Sequence, residues 1–204
     1  MKTNIITCLT ILLVFFSCSK KNSSSCCSKS EGADAEVSFS EDISELSLYN
    51  LESEWVTQDD QILHLEDLKG KAQIMVMIYT KCAYACPRLI ADLKRVEEEI
   101  QDISSSDLGI VLVSMDPEND TPAQMTEYSK RNKLSDRYML ITSTEHNILE
   151  LSHLLNVKFK KEGDDYAHSN ILTLLDAQGE IVFQQEGLGE DITKLVSHIR
   201  KLSL

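Results

Sequence analysis

Two nearly unbroken apolar runs frame this chain: Ile74-Met75-Val76-Met77-Ile78-Tyr79 and Gly109-Ile110-Val111-Leu112-Val113-Ser114-Met115. Apolar runs of this length without alternation suit strands covered on both faces. Between them the period changes. Leu89, Ile90, Leu93 and Val96 recur at helical spacing, which predicts a helix from about Pro87 to Ile100, and Ser104-Ser105-Ser106 ends it. Strand, helix and strand in that order make a parallel βαβ unit. The pattern then repeats. Asp116 to Gln124 closes the second strand and opens a second helix: Thr121 can cap it, Pro122 suits its first position, Gln124 completes a capping box, and it runs to about Lys133. Tyr138–Thr142 predicts a third strand, and Ser143 or Thr144 caps a helix to about Leu155. Asn170–Leu175 and Glu180–Gln185 flank Asp176-Ala177-Gln178-Gly179, a hairpin signal, and Ile192–Leu202 closes as an amphipathic helix. Upstream, Leu46–Tyr49, Glu54–Thr57 and Ile62–Leu65 read as short strands, the last two joined by a turn at Asp59-Asp60.

This order predicts an α/β fold of thioredoxin-like form, a central mixed sheet with helices on both faces, over residues 46–204. The first 45 residues read differently. Lys2 precedes a short apolar core, Ile5 to Phe16, too short to span a bilayer comfortably, so residues 1–17 read as a signal peptide. Its end, Phe15-Phe16-Ser17-Cys18, resembles a bacterial lipoprotein box, which implies cleavage before Cys18, acylation of its sulfur, and an exported protein anchored by lipid to the cell-envelope membrane. A plain signal peptide cut elsewhere is the alternative. Residues 18–45, first rich in Ser and Lys and then acidic, read as a flexible tether. The formal charge is −13, and loss of residues 1–17 removes Lys2 and no acid. That balance argues against nucleic acid as a partner and against adhesion to an anionic membrane surface.

Six cysteines remain to be placed. Cys8 lies in the signal peptide and Cys18 is the lipid site. Cys26 and Cys27 sit in the tether with no His or acid at chelating spacing. Only Cys82 and Cys86 fall in the folded sequence, where the first buried strand ends and a helix begins. Pro87 marks that boundary, so Cys86 stands at or beside the helix N-terminus, where the backbone dipole favours a thiolate. Cys82, four residues earlier, is close enough for both sulfurs to meet one partner, either a metal ion or each other. A structural disulfide across so short a loop would staple almost nothing.

Of five histidines, His168 is the best placed, since the loop entering the last hairpin of such a sheet faces the thiols; His64, His146, His153 and His198 read as surface or packed residues. Two thiolates and an imidazole suit Cu(I), whereas zinc usually takes a fourth ligand. Met75, Met77, Met115 and Met139 lie in apolar strands and read as core. Asp116 reads as a turn former, and Tyr84 as a shield, a partner contact or simply an exposed side chain.

Three blocks carry a family resemblance: Tyr79-Thr80-Lys81-Cys82 with Cys86-Pro87; Val113 to Pro122; and His168-Ser169 followed by Leu174 to Gly179. Taken in order, over about residues 70–190, they resemble the Sco/SenC proteins. The resemblance implies a membrane-tethered metallochaperone with copper held by Cys82, Cys86 and His168. It would supply copper to the dinuclear centre of a cytochrome c oxidase subunit, or keep the cysteines of that centre reduced through a redox-active Cys82–Cys86 pair. Another copper enzyme, such as a nitrous oxide reductase, is an alternative acceptor. The chain departs from the family at Ala83, where proline is common, and at Ala167, where aspartate often precedes the histidine. Asp164 or Asp165 are the candidates to replace that acid. The competing reading is a thiol–disulfide reductase. Against it, thioredoxin-type oxidoreductases resemble one another in a cis-proline before the last hairpin, and the three prolines here, at 87, 117 and 122, all lie elsewhere. Peroxide reduction is a weaker third reading, with only Thr80 and Arg88 to support a reactive thiolate.

Overall fold

Strands β3 (Ala72–Ile78) and β4 (Leu108–Ser114) are buried at every residue. Successive strand side chains point to opposite faces, so both faces of the sheet are covered. The computed structural model describes residues 44–163 and 165–202. Residues 1–43, which include the expected signal peptide, Cys18, Cys26, Cys27 and most of the expected tether, lie outside the described residues. The remaining strands are β1 (Glu54–Thr57), β2 (Ile62–His64), β5 (Tyr138–Thr142), β6 (Phe159–Glu162), β7 (Asp165–His168), β8 (Ile171–Leu175) and β9 (Ile181–Glu186). The described residues also form four α-helices, α1 (Ala85–Glu99), α2 (Pro122–Asn132), α3 (Glu145–Leu154) and, after the last strand, α4 (Thr193–Ile199).

The main sheet has the order β2-β1-β5-β4-β3-β8-β9. Its centre is parallel: Val76 of β3 pairs with Leu112 of β4, and Leu112 with Leu140 of β5. Helices α1 and α2 are the two crossovers, as a parallel pair requires. The outer strands run antiparallel, β1 against β5 and β8 against β3, with Met75 opposite Thr173. That last pairing positions the site. Because β8 is antiparallel to β3, the chain entering β8 lies beside the chain leaving β3.

The structure corrects the sequence reading of the fold at four places. Residues 46–49 form no strand; Leu48–Asn50 is a 3₁₀ turn capped by Ser47, whose hydroxyl accepts from the Tyr49 N–H at 3.1 Å. Adjacent Leu48 and Tyr49 are both buried, which a turn allows and an alternating strand does not. The Tyr49 ring lies where a Cβ on Gly179 (φ +83°) would sit, so that turn has no room for a side chain. Helix α1 begins at Ala85 rather than Pro87, and α4 ends at Ile199 rather than Leu202. A hairpin, β6–β7, was not legible at all and forms a separate two-stranded sheet. It is lysine-rich and partly exposed, so its period of two carries little hydrophobic signal. Of the four methionines expected in the core, Met75, Met77 and Met115 are buried, and Met139 is half-buried against it.

Candidate metal centre

After β3 the backbone turns sharply, the Cys82 N–H donating to the Tyr79 carbonyl at 3.2 Å. Helix α1 then starts without a side-chain cap on Tyr84. The first-turn amides of a helix need acceptors, and here a sulfur supplies one: the Cys86 N–H donates to Cys82 Sγ at 3.3 Å. Both cysteines are free, Cys82 half-buried and Cys86 fully buried.

The two thiols are unequal. A hydrogen bond from the Cys86 thiol, joined by the backbone N–H groups of Cys86, Tyr84 and Ala85, outweighs burial and brings Cys82 down to about 5. Cys86 is driven well above the ordinary thiol range by the hydrogen bond it makes to Cys82, by burial, and by the charges of Cys82 and Asp120. The helix start therefore stabilises a thiolate on Cys82, not on Cys86 as the sequence suggests. The proline boundary places Cys86 near the amides, but it lies within the first turn and the amides point back at Cys82.

A chemical consequence is testable in the metal-free protein. A lowered thiol pKa means thiolate above it and thiol below it. Of Cys82 and Cys86, iodoacetamide should modify Cys82, with a rate that stays high at neutral pH and falls only as the pH drops through about 5. Peptide mapping would reveal the opposite assignment if Cys86 reacted first.

The thiol turn is held from below by Asp120, which is fully buried. Its carboxylate accepts from the Thr80 N–H at 3.0 Å, the Thr80 hydroxyl at 2.5 Å and the Ser114 hydroxyl at 2.6 Å. Burial raises its pKa against those three donors. Arg131 of α2 donates to the Thr80 carbonyl at 3.3 Å. Tyr128, behind the thiols, has a buried hydroxyl without a hydrogen-bond partner, and its phenol is raised by burial and by the neighbouring sulfurs. Sequence reasoning missed Asp120 because an acid between a strand and a proline-started helix looks like an ordinary surface turn. Asp120→Ala leaves the buried Thr80 N–H unanswered and should cost about 1–3 kcal/mol, read as a lower midpoint in urea unfolding. Asp116 does form the turn expected of it, accepting from Asn119 Nδ2 at 2.8 Å. Thr80's hydroxyl is taken by Asp120, and Arg88 is exposed on α1, so the two residues behind a peroxide-reducing reading do not serve a thiolate.

His168 is the last residue of β7. Its Nδ1 lies 3.0 Å from the Ser169 carbonyl. A carbonyl only accepts, so Nδ1 carries the proton and Nε2 the lone pair. That Nε2 is buried and has no hydrogen-bond partner. Ligating atoms of Cys82, Cys86 and His168 all lie within 4.8 Å of one another, and among the described residues they are the cluster with metal-site geometry. The acid sought in place of Ala167 is not the imidazole's partner: Asp165 instead accepts from the Tyr79 hydroxyl and from the Tyr166 N–H at 2.9 Å, and Asp164 lies outside the described residues. The Ser169 carbonyl orients the ring. Tyr84, between the cysteines, is 84 % exposed and shields nothing. The other four histidines take no part: His64, His146 and His153 are exposed, and His198 stacks on Phe183.

The donor set is two sulfurs and one imidazole nitrogen, half-enclosed, with no carboxylate among its ligating atoms. Soft, low-coordinate sites of this kind fit Cu(I). Fold and site together define a thioredoxin-like protein with a Cys-Cys-His soft-metal centre. The chain belongs to the SCO1/SenC family, whose model matches residues 44–203. It is similar to the Bacillus subtilis SCO1 homologue, 28% identical over 136 residues that make up 64% of this chain and 70% of that one. Among solved structures it resembles the copper-bound ScoI of Arabidopsis thaliana, with a TM-score of 0.65 at 24% identity over 73% of this chain and 96% of that one. It also resembles BsSco, a Sco-family cytochrome c oxidase assembly protein with a disulfide switch, with a TM-score of 0.64 at 26% identity over 72% of this chain and 88% of that one. The chain spans 44% to 70% of the length of the curated relatives it matches.

Proposed function

We propose that this protein binds one copper ion through Cys82, Cys86 and His168 and passes it to the cysteine ligands of a respiratory copper centre, such as that of a cytochrome c oxidase subunit, while tethered outside the cytoplasm by lipid on Cys18. The observation that carries this reading is the buried, unpartnered Nε2 of His168 beside two thiols. An orphaned buried nitrogen is costly, and a metal answers it. Copper is the cargo, so release matters as much as capture. Cys86 is enclosed and Cys82 is half-exposed; an acceptor thiolate would approach from the Cys82 side and replace Cys82 first, leaving Cys86 and His168 to let go afterwards. No helix among the described residues is long and apolar enough to cross a membrane, so the proposed attachment rests on the sequence around Cys18.

The inequality of the two thiols supports a second reading. As a reductase, the Cys82 thiolate would attack a disulfide of the acceptor and expel one acceptor thiolate. Cys86, on losing its proton, would then displace the second. The products are a Cys82–Cys86 disulfide and two acceptor thiols, a two-electron exchange.

Copper stoichiometry separates the two readings. The reduced protein, titrated with Cu(I) against a chromogenic Cu(I) chelator, should take up about one copper per chain. A protein that takes up none, yet reduces an acceptor disulfide, would leave the second reading standing and remove the first.

A further inference from the structure

The hairpin that carries His168 is not part of the main sheet. Among the described residues, strands β6 and β7 pair only with each other, and an isolated two-stranded hairpin is marginal by itself. Backbone ties hold its base, where the Ser169 N–H donates to the Lys158 carbonyl at 2.8 Å. Above that base its position relative to the thiols depends on side chains. Lys161 pairs with Glu118 at 2.7 Å, but both are exposed, and exposed ion pairs contribute little. Phe159 and Tyr166 pack against the core, and Asp165, Tyr166 and His168 of β7 all meet one ring, that of Tyr79.

Tyr79 follows β3 and stands three residues before Cys82. Its side chain is buried. It touches β7 at both ends. The hydroxyl donates to the carboxylate of Asp165, the first residue of β7. The ring meets the imidazole of His168, the last residue of β7, edge to face, with centroids 6.1 Å apart and planes at 81°. Between them Tyr166 packs on the same ring at 5.2 Å, and its hydroxyl reaches Asp116 at 3.4 Å. The thiol strand and the imidazole strand are thus joined through a single tyrosine, and one hydrogen bond, Tyr79 to Asp165, fixes the end of β7 farthest from the backbone ties.

We infer that Tyr79 and Asp165 are positioning residues for the metal ligand His168: the hydrogen bond between them holds β7 at the height that sets the imidazole against the two sulfurs. This rests on the copper reading above. Neither residue touches the metal; both act through His168.

The test is a set of Cu(I) affinities measured by chelator competition, with thermal unfolding run alongside. Tyr79→Phe keeps the ring and removes only the hydroxyl. Asp165→Ala removes the acceptor, and Asp165→Asn keeps one. Loss of an outlying partner of a metal ligand typically lowers affinity 10- to 100-fold; we expect the low end, about tenfold, for Tyr79→Phe and for Asp165→Ala. The double variant should be no weaker than either single one, and Asp165→Asn should stay close to wild type. The decisive arm is Tyr79→Phe placed in a His168→Ala background, where it should change the copper affinity no further. In the metal-free protein, cross-relaxation between the His168 and Tyr79 rings should weaken in Tyr79→Phe. Unchanged affinity in Tyr79→Phe, or an equal loss with and without the imidazole, would overturn the inference. Should Asp165→Ala fold poorly, Tyr79→Phe and Asp165→Asn still decide the matter. Failure of the copper reading itself would show elsewhere, as no change on His168→Ala alone, and the inference would fall with it.

Discussion

Cys82→Ser should weaken Cu(I) binding by at least about 100-fold, the upper end of what losing a mere outer partner of a ligand costs, while leaving the fold nearly as stable as before. The two halves of that expectation have different causes. Cys82 is the half-exposed sulfur of the donor set and the one held as a thiolate, so its removal takes away the donor that meets the ion with its charge already in place. Metal ligands must be deprotonated, and serine does not ionise at neutral pH. The fold, by contrast, uses the Cys82 side chain chiefly as an acceptor at the start of α1, for the Cys86 N–H and its first-turn neighbours. A serine hydroxyl is among the best acceptors at a helix start, so the unfolding free energy should move by less than about 1 kcal/mol. The checks are chelator competition for copper and urea unfolding of the metal-free protein. A serine variant that keeps wild-type affinity would show that Cys82 is not a ligand. The same variant should lose its low-pH alkylation, since Cys86 stays protonated there.

His168→Ala should be as damaging to copper binding, again at least about 100-fold, but it leaves the thiols in place. This substitution therefore separates the two functional readings where Cys82→Ser cannot. The hydrogen bond from Cys86 to Cys82 and the first-turn amides do not involve the imidazole, so the Cys82–Cys86 pair should still oxidise and still exchange with a model disulfide. Copper lost with exchange retained is the expected result, measured by chelator competition and by thiol titration after mild oxidation. Copper affinity unchanged by His168→Ala would remove the delivery reading and leave a thiol protein. The variant also frees the Ser169 carbonyl, but that group lies in the half-buried link between β7 and β8 where water can replace the lost partner, so a general collapse is not expected to confuse the measurement.

Much of this architecture is legible in the sequence. The two apolar runs became β3 and β4, and the helical spacing of Leu89, Ile90, Leu93 and Val96 became the buried side of α1. Thr121 caps α2 as its spacing suggested, accepting from the Gln124 N–H, with Pro122 at the first position. These features are read from neighbours within one or two turns of chain, where periodicity and capping act. The segment 46–49 is ambiguous in sequence because a short apolar pair fits a strand or a turn equally well, and only the docking of Tyr49 over Gly179 decides between them. The hairpin β6–β7 was invisible because partly exposed strands carry little alternation.

The sequence by itself determined which side chains could hold a soft metal: a thiol pair at a strand-to-helix junction, and a histidine just before the last antiparallel strands. Those are local facts of residue type and spacing. Only the tertiary structure decided that the three meet, because the meeting follows from β8 running antiparallel beside β3, a register that no local pattern encodes. It also decided which sulfur is the thiolate, which carbonyl orients the imidazole and which buried acid braces the turn. Each of those depends on hydrogen-bond directions, and these are fixed only once the helix start, the loop after β4 and the His168 hairpin are packed together.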